Sequence, residues 1–481
     1  MSLKEKTIRG FSWAFIDRFS NQIIQFAIGI ILARLLTPRE YGLVGMIAIF
    51  LAVSDTFIVT GFSEALIQKK NPDKNDYSTV FLVNIITGLT FYTILFFSAG
   101  LISDFFKEPL LEKILIVISL TIIINALGMV PRVPLVRNLN FKALTKISVI
   151  ATSLSGLVAI ILALQGFGVW SLVWRAIVMS LVTTIMVNVI SRPALGLYFN
   201  TKSFRELFGF GSKLLVSRLI NELYLNLYYL LIGKFFSARD LGLYTRANGY
   251  KDLPSRTLSN VVQSVSFPAL SKIQDDNQRL KKAFRRLIQV TMFLTFSIMF
   301  CLAGAAHNFI VGLIGYHWVE AVPYLQLLCF VGIFYPLSYL NLNLMTVKGR
   351  SDMNLKVEII RKLIALPIVV FCLFYGIMAM IWGLIIASVI NTYITLWWSG
   401  KLIAYPPKEQ ITDIIPSFFI AISAGILVFL ISFFAVHILL YLCLHGAAEL
   451  ISTVFLSNYF KLQPFLELKI ILLARLQVSS K

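Results

Sequence analysis

Apolar runs of about twenty residues recur a dozen times along this chain, and each is long enough to cross a bilayer as a helix. Inside hydrocarbon every backbone amide must find its partner within the protein, so only helices and closed barrels span it. No two-residue alternation of apolar and polar side chains competes with the runs, which leaves helices. The spacing predicts spans at about 11–36, 41–67, 79–101, 114–133, 147–164 and 169–190, then at about 210–236, 244–270, 287–314, 322–346, 357–375 and 377–400. Weaker runs at about 414–436 and 439–460 bring the expected total to fourteen; His445, Gly446 and Glu449 interrupt the last. Only 14% of residues are charged, against about 25% in soluble domains, so no large soluble domain is expected. The first run is too long and too polar for a cleaved leader and reads as a retained span.

A polar stripe of Arg18, Asn21, Gln22 and Gln25 marks that first span. Two hundred residues later Arg218, Asn221 and Glu222 repeat it. The segment after each span repeats too, without a gap: Thr37-Pro38-Arg39-Glu40-Tyr41-Gly42-Leu43 and Ser237-Ala238-Arg239-Asp240-Leu241-Gly242-Leu243. Glycines 42 and 242 read as turn residues. A charge in a membrane helix is costly and turns toward protein or water. Matched arginines in two halves therefore predict one lumen shared by two lobes. The expected architecture is an all-α polytopic membrane protein with two six-helix lobes, residues 1–190 and 208–400, related by an internal repeat around a central lumen. Residues 191–207 form a cytoplasmic linker, and residues 401–481 two extra helices and a cytoplasmic tail.

The net charge of +20 would suggest nucleic acid on a soluble protein, but its distribution follows the membrane. With the N-terminus inside, 30 of the 43 Lys and Arg fall in inside segments, including Lys69, Lys70, Arg137 and the stretch from Lys272 to Arg286. Outside lie Arg34, Arg39, Lys107, Lys113, Lys234 and Arg239. This is the positive-inside pattern, and it predicts both termini in the cytoplasm and no nucleic-acid partner. Cys301, Cys329, Cys372 and Cys443 sit in apolar surroundings and the four histidines are scattered, so no disulfide or metal is expected. No phosphate-binding glycine loop with its lysine is present, which excludes an ATP-driven pump in this chain. No catalytic constellation and no cofactor are expected.

The eighth span is the most polar. Asp252, Ser255, Arg256, Ser259, Gln263 and Ser266 follow steps of three and four, with Lys251 and Arg246 near the start. Such a face is expected to line water, or else to zip against another helix. Arg18 and Arg218, then Arg175 and Arg256, are the best candidates to grip phosphate in bidentate fashion. The expected cargo-binding set is Arg18, Asn21, Gln22, Gln25, Arg175, Arg218, Asn221, Lys251 and Arg256. The acids Asp17, Asp55, Glu64 and Glu222 read either as ion partners or as sites coupling transport to H+ or Na+. Glu222 lies one turn after Arg218 and is expected to pair with it. No basic residue lies within a turn of Asp55 in sequence.

Gly10-Phe11-Ser12-Trp13, the stretch Leu35 to Leu43, and Gly61-Phe62-Ser63-Glu64-Ala65-Leu66-Ile67 resemble the polysaccharide flippases of the multidrug/oligosaccharidyl-lipid/polysaccharide exporter superfamily. Asp240-Leu241-Gly242-Leu243-Tyr244 and Phe267-Pro268-Ala269-Leu270-Ser271-Lys272 fit the same pattern. The nearest subgroup is the Wzx-type lipopolysaccharide, colanic-acid and teichuronic-acid translocases, and the resemblance runs to about Tyr405. It implies lobes packed as a V, alternating access, and a bacterial cytoplasmic membrane. The implied cargo is an undecaprenyl-pyrophosphate-linked oligosaccharide, flipped for surface polysaccharide biosynthesis beside a polymerase and chain-length machinery. A basic lumen suits pyrophosphate, and the polyprenyl tail can stay in membrane lipid. The rivals are a drug/cation antiporter or a peptidoglycan-precursor flippase of the same superfamily. A membrane polymerase or ligase would need a larger external loop than any here.

Overall fold

The computed structural model describes residues 20–59, 62–192, 196 and 198–431. Among these residues the regular structure is helical. In chain order the helices are α1 (Ser20–Leu35), α2 (Pro38–Val59), α3 (Phe62–Gln68), α4 (Lys74–Phe106), α5 (Leu110–Ile118), α6 (Leu120–Arg137), α7 (Phe141–Leu164) and α8 (Val169–Ser191). There follow α9 (Thr201–Phe235), α10 (Ala238–Ser271), α11 (Asn277–Gly304), α12 (Ala306–Ile314), α13 (Ala321–Val347), α14 (Ser351–Leu373), α15 (Ile377–Ile403) and α16 (Pro407–Ile431). The expected spans at 114–133 and 287–314 each become two helices, broken at Ser119 and Ala305. Nine stretches among the described residues are long and apolar enough to cross a membrane, where the sequence predicts fourteen spans. Helices α9, α10 and α14 have the length, at 35, 34 and 23 residues, but carry charged side chains along them, Arg218, Lys251 and Arg361 among them, and are not among the nine. The run at 439–460 lies outside the described residues.

Side chains at the helix starts explain several boundaries. Asp73 and Asp76 form a reciprocal capping box at α4: the Asp73 carboxylate accepts from the Asp76 amide at 2.8 Å, and Asp76 accepts from the Asp73 amide at 3.0 Å. Asn140, Asn200 and Asp276 cap α7, α9 and α11 one way, each side chain accepting from backbone amides of the first turn. The repeated segments behave alike. Glu40 accepts from the amide and hydroxyl of Thr37 at 2.6 and 2.9 Å. Asp240 accepts from the amide and hydroxyl of Ser237 at 3.2 and 2.7 Å. Each segment thus starts a helix, α2 in one case and α10 in the other.

Gly42 and Gly242 do not serve turns, which corrects the sequence expectation. Both lie within helices. A Cβ on Gly42 would overlap the backbone carbonyl of Ala238, and one on Gly242 the carbonyl of Pro38. The contact is reciprocal: each glycine receives the first residue of the other helix. Small residues let two helix backbones approach this closely.

By packing, the chain divides into two compact units, one running to Gly242 and the other starting at Leu243. Helix α9, grouped with the second lobe by the sequence repeat, packs on α2, α3 and α4 within the first unit. In that unit Ile28 and Leu32 of α1, and Leu36 just after it, bury against Ala159, Ala163 and Leu172. At one end of the unit Arg39 pairs with Glu108 at 2.8 Å, and Lys234 donates to the Phe105 carbonyl at 2.6 Å. At the other end Lys69 bridges Asp76 and Glu206 at 2.9 and 3.0 Å. Burial pulls the Lys69 ammonium down, but the two carboxylates outweigh it and leave its pKa raised. Arg137 donates to the carbonyls of Leu66, Ile67, Lys69 and Lys70, closing the open end of α3.

The second unit has its own ionic clasp. Lys281 on α11 reaches Glu409 on α16 at 2.7 Å, and Arg285 pairs with Asp413. Between these helices the fully buried Tyr405 donates its hydroxyl to Asp413 at 2.6 Å. Burial first, then the Asp413 carboxylate, push that hydroxyl far above its ordinary pKa. Large apolar side chains lie bare on the outside, Phe97 at 78% and Phe419 at 64% exposed. Hydrocarbon, not water, is the solvent that suits such a surface.

Candidate functional site

Lysine 251, Asp252 and Arg256 form a charged cluster near the middle of α10. Asp252 takes Lys251 at 2.6 Å on one carboxylate oxygen and Arg256 at 3.0 Å on the other. The Asn248 amide approaches the second oxygen at 3.5 Å. Two cations on one acid leave the cluster net positive. The stem of Lys251 is buried against Gly332 of α13, which has no side chain to obstruct it. The Arg256 side chain is 49% exposed. Its pairing to Asp252 is one helical turn long, an arrangement worth a few tenths of a kcal/mol when exposed, about 0.5 at most. Arg256 is therefore free to exchange Asp252 for a stronger anion.

The polar face expected along α10 is divided. Ser255, Ser259 and Ser266 are buried. The Ser255 and Ser259 hydroxyls donate back to the carbonyls of Lys251 and Ser255, at 3.1 and 2.8 Å. These serines follow the reading in which a polar stripe zips into its own bundle. Arg256 and Asn260 are exposed on the remaining side. Gln263 accepts from the Tyr339 hydroxyl of α13 at 2.5 Å. Tyr335, one turn earlier on α13, stacks on Tyr339 with ring centroids 5.8 Å apart and planes 13° from parallel. Lys251 packs on Gly332 and Gln263 bonds to Tyr339, so the stretch of α10 that holds Arg256 runs alongside the stretch of α13 that holds Tyr335. Neither tyrosine was visible as a site residue in the sequence. The available signal was Tyr335 and Tyr339 spaced by four around Pro336.

In the first unit Arg218 of α9 pairs with Glu64 of α3, not with Glu222 as its position one turn away suggested. Glu222 instead meets the Asn226 amide, weakly, at 3.4 Å. The Arg218 side chain is 53% exposed and Glu64 28%. Asn221 is exposed and Arg175 on α8 half-buried. Asn21 is buried. Its amide donates to Ser148 at 2.6 Å and accepts from Thr152 at 3.1 Å, which joins α1 to α7. Gln22 and Gln25 are exposed beside it. Asp55 on α2 is half-buried and accepts from the Asn125 amide of α6 at 3.2 Å. Among the described residues no lysine or arginine lies within ion-pair distance of it. Asp17 and Arg18 lie outside the described residues.

The family model described as polysaccharide biosynthesis protein matches residues 31–323. The lipopolysaccharide biosynthesis protein WzxC of Escherichia coli (strain K12) is 28% identical, over 82% of this chain and 81% of its own length. The teichuronic acid biosynthesis protein TuaB of Bacillus subtilis (strain 168) is 26% identical over 91% of each. Among solved structures, the lipid II flippase MurJ in an inward closed conformation superposes with a TM-score of 0.75 at 15% identity. That match covers 94% of this chain and 98% of MurJ, and at this identity it speaks for the fold alone.

Proposed function

The chain belongs to the polysaccharide biosynthesis protein family, as a multi-pass membrane transporter of the Wzx-type flippase group, and on that premise we propose that it flips undecaprenyl-pyrophosphate-linked oligosaccharides. The observation that carries the reading is the Lys251–Asp252–Arg256 cluster. It puts a net positive, half-open guanidinium at the middle of a helix long enough to cross the bilayer. A guanidinium binds phosphate through two parallel hydrogen bonds and stays charged at any accessible pH. An organic cation gains nothing there, which favours the glycan lipid over a drug.

In this reading the spans number fourteen: the nine apolar ones, then α1, α9, α10, α14 and the run at 439–460. The two six-helix lobes alternate access from inside to outside. Arg18 is the repeat counterpart of Arg218, and both reach the cargo pyrophosphate while the polyprenyl tail stays in lipid. Both termini face the cytoplasm, in keeping with the positive-inside pattern. Impermeant-thiol labelling from outside at position 70 or 281, on a cysteine-free background, contradicts that orientation; labelling only after permeabilisation agrees with it.

Export of surface polysaccharide tests the cargo. In cells whose only copy carries Arg218→Ala, export is expected to fall by about tenfold or more, since a charge-assisted bond of 1.5–3 kcal/mol is lost. Membrane level, read by immunoblot, stays unchanged, and Arg218→Lys rescues only in part because lysine lacks the fork. Full export from both Arg218→Ala and Arg256→Ala at normal level sinks the cargo role of these arginines.

A further inference from the structure

Arg256 and Asp252 cannot turn toward hydrocarbon, so the side of α10 that carries them borders water. Tyr335 lies against that border. It is 39% exposed, and its hydroxyl makes no hydrogen bond among the described residues. Behind it Tyr339 is fixed by its bond to Gln263 and by the parallel stack, so Tyr335 is held as a ready surface. Gly332 and Pro336 occupy the neighbouring steps of α13, and both are buried. Gly332 receives the stem of Lys251, and Tyr335 follows it one turn along α13, on the stretch that runs beside Arg256 and Gln263 of α10.

An aromatic face is electron-rich, and its quadrupole attracts partial positive charge. One face of a pyranose ring presents C–H groups that carry such charge, while its rim presents hydroxyls. An organic cation would also favour the ring, but Arg256 repels it. Resting on the flippase reading above, we propose that Tyr335, backed by Tyr339 and flanked by Arg256 and Gln263, is a subsite for one pyranose ring of the cargo beside an anionic group. The C–H face lies on Tyr335, the anion is held by Arg256, and Gln263 is a positioning residue acting through Tyr339.

Binding to the purified full-length protein tests this with two probes, undecaprenyl diphosphate alone and undecaprenyl diphosphate bearing a disaccharide. Wild type is expected to hold the sugar-bearing lipid about tenfold more tightly than the bare one. Tyr335→Ala removes that increment and leaves the bare lipid within about twofold of wild type; Tyr335→Phe keeps it, because the ring, not the hydroxyl, does the stacking. The phenylalanine variant preserves the shape of the helix, so it reads the ring even where alanine lowers yield. Arg256→Ala weakens both lipids where the anion is the diphosphate, and only the sugar-bearing one where it is an acidic sugar. A sugar increment that survives Tyr335→Ala, or that Tyr335→Phe abolishes, overturns the subsite while leaving the flippase reading intact. Absence of any sugar increment in wild type overturns the subsite as well, and failure of wild type to hold either lipid defeats the flippase reading itself.

Discussion

Gly42→Leu is expected to cut the yield of folded protein at least about tenfold, which corresponds to about 1.4 kcal/mol or more. The cause is the crossing of α2 with the start of α10. A Cβ at position 42 already overlaps the Ala238 carbonyl. A flexible side chain could move aside, but a carbonyl held in a helix can retreat only by separating the two helices. Overpacking commonly costs about 1–3 kcal/mol, and a backbone obstacle puts this site at the upper end. Gly42→Ala should do the same to a lesser degree, and Gly242→Ala should match it because the contact is reciprocal. Gly100, with open space around it, supplies the control: Gly100→Ala should leave yield unchanged. Fluorescence-detected gel filtration of detergent extracts reads all four. A monodisperse Gly42→Leu peak at wild-type height contradicts the crossing.

Asp55→Asn is expected to abolish the response of transport to an imposed ion gradient while leaving cargo affinity within about twofold. An acid inside a membrane helix is costly unless it is paired or used. Glu64 is paired, through Arg218. Asp55 has the neutral Asn125 amide, which bonds to a carboxylate without cancelling its charge. If an ion drives the cycle, Asp55 is the site we propose for it, with Asp17 as the alternative. The amide keeps the shape of the acid and removes its charge. Vesicles with imposed proton or sodium gradients make the comparison; an unchanged gradient response in the variant removes Asp55 from coupling.

The local features of this fold were readable in the sequence because their causes are local. Apolar runs gave the helices, and the match of 37–43 with 237–243 marked the two places where α2 and α10 start, although the capping by Glu40 and Asp240 shows only in the fold. What the sequence could not show depends on neighbours brought in from far along the chain. Glu222 is one turn from Arg218 and was the natural partner, yet Glu64, 154 residues away, takes the guanidinium. Ser255 and Arg256 belong to one polar stripe by spacing, but the helix bundle buries one and leaves the other at the surface. Glycine 42 reads as a turn residue until α10 is seen to press on it. Tyr335 carries no charge, and only the packing of α13 along α10 brings it to the stretch that holds Arg256.

The most direct test of the central claim uses sealed vesicles reconstituted with the purified protein and loaded with undecaprenyl diphosphate bearing a disaccharide. An impermeant lectin or glycosidase added outside reports each molecule that crosses. Wild type is expected to expose the inner-leaflet pool within minutes, whereas protein-free vesicles and the Arg256→Ala protein expose it far more slowly. Exposure by wild type no faster than in protein-free vesicles, from protein shown to be folded and inserted, contradicts the account.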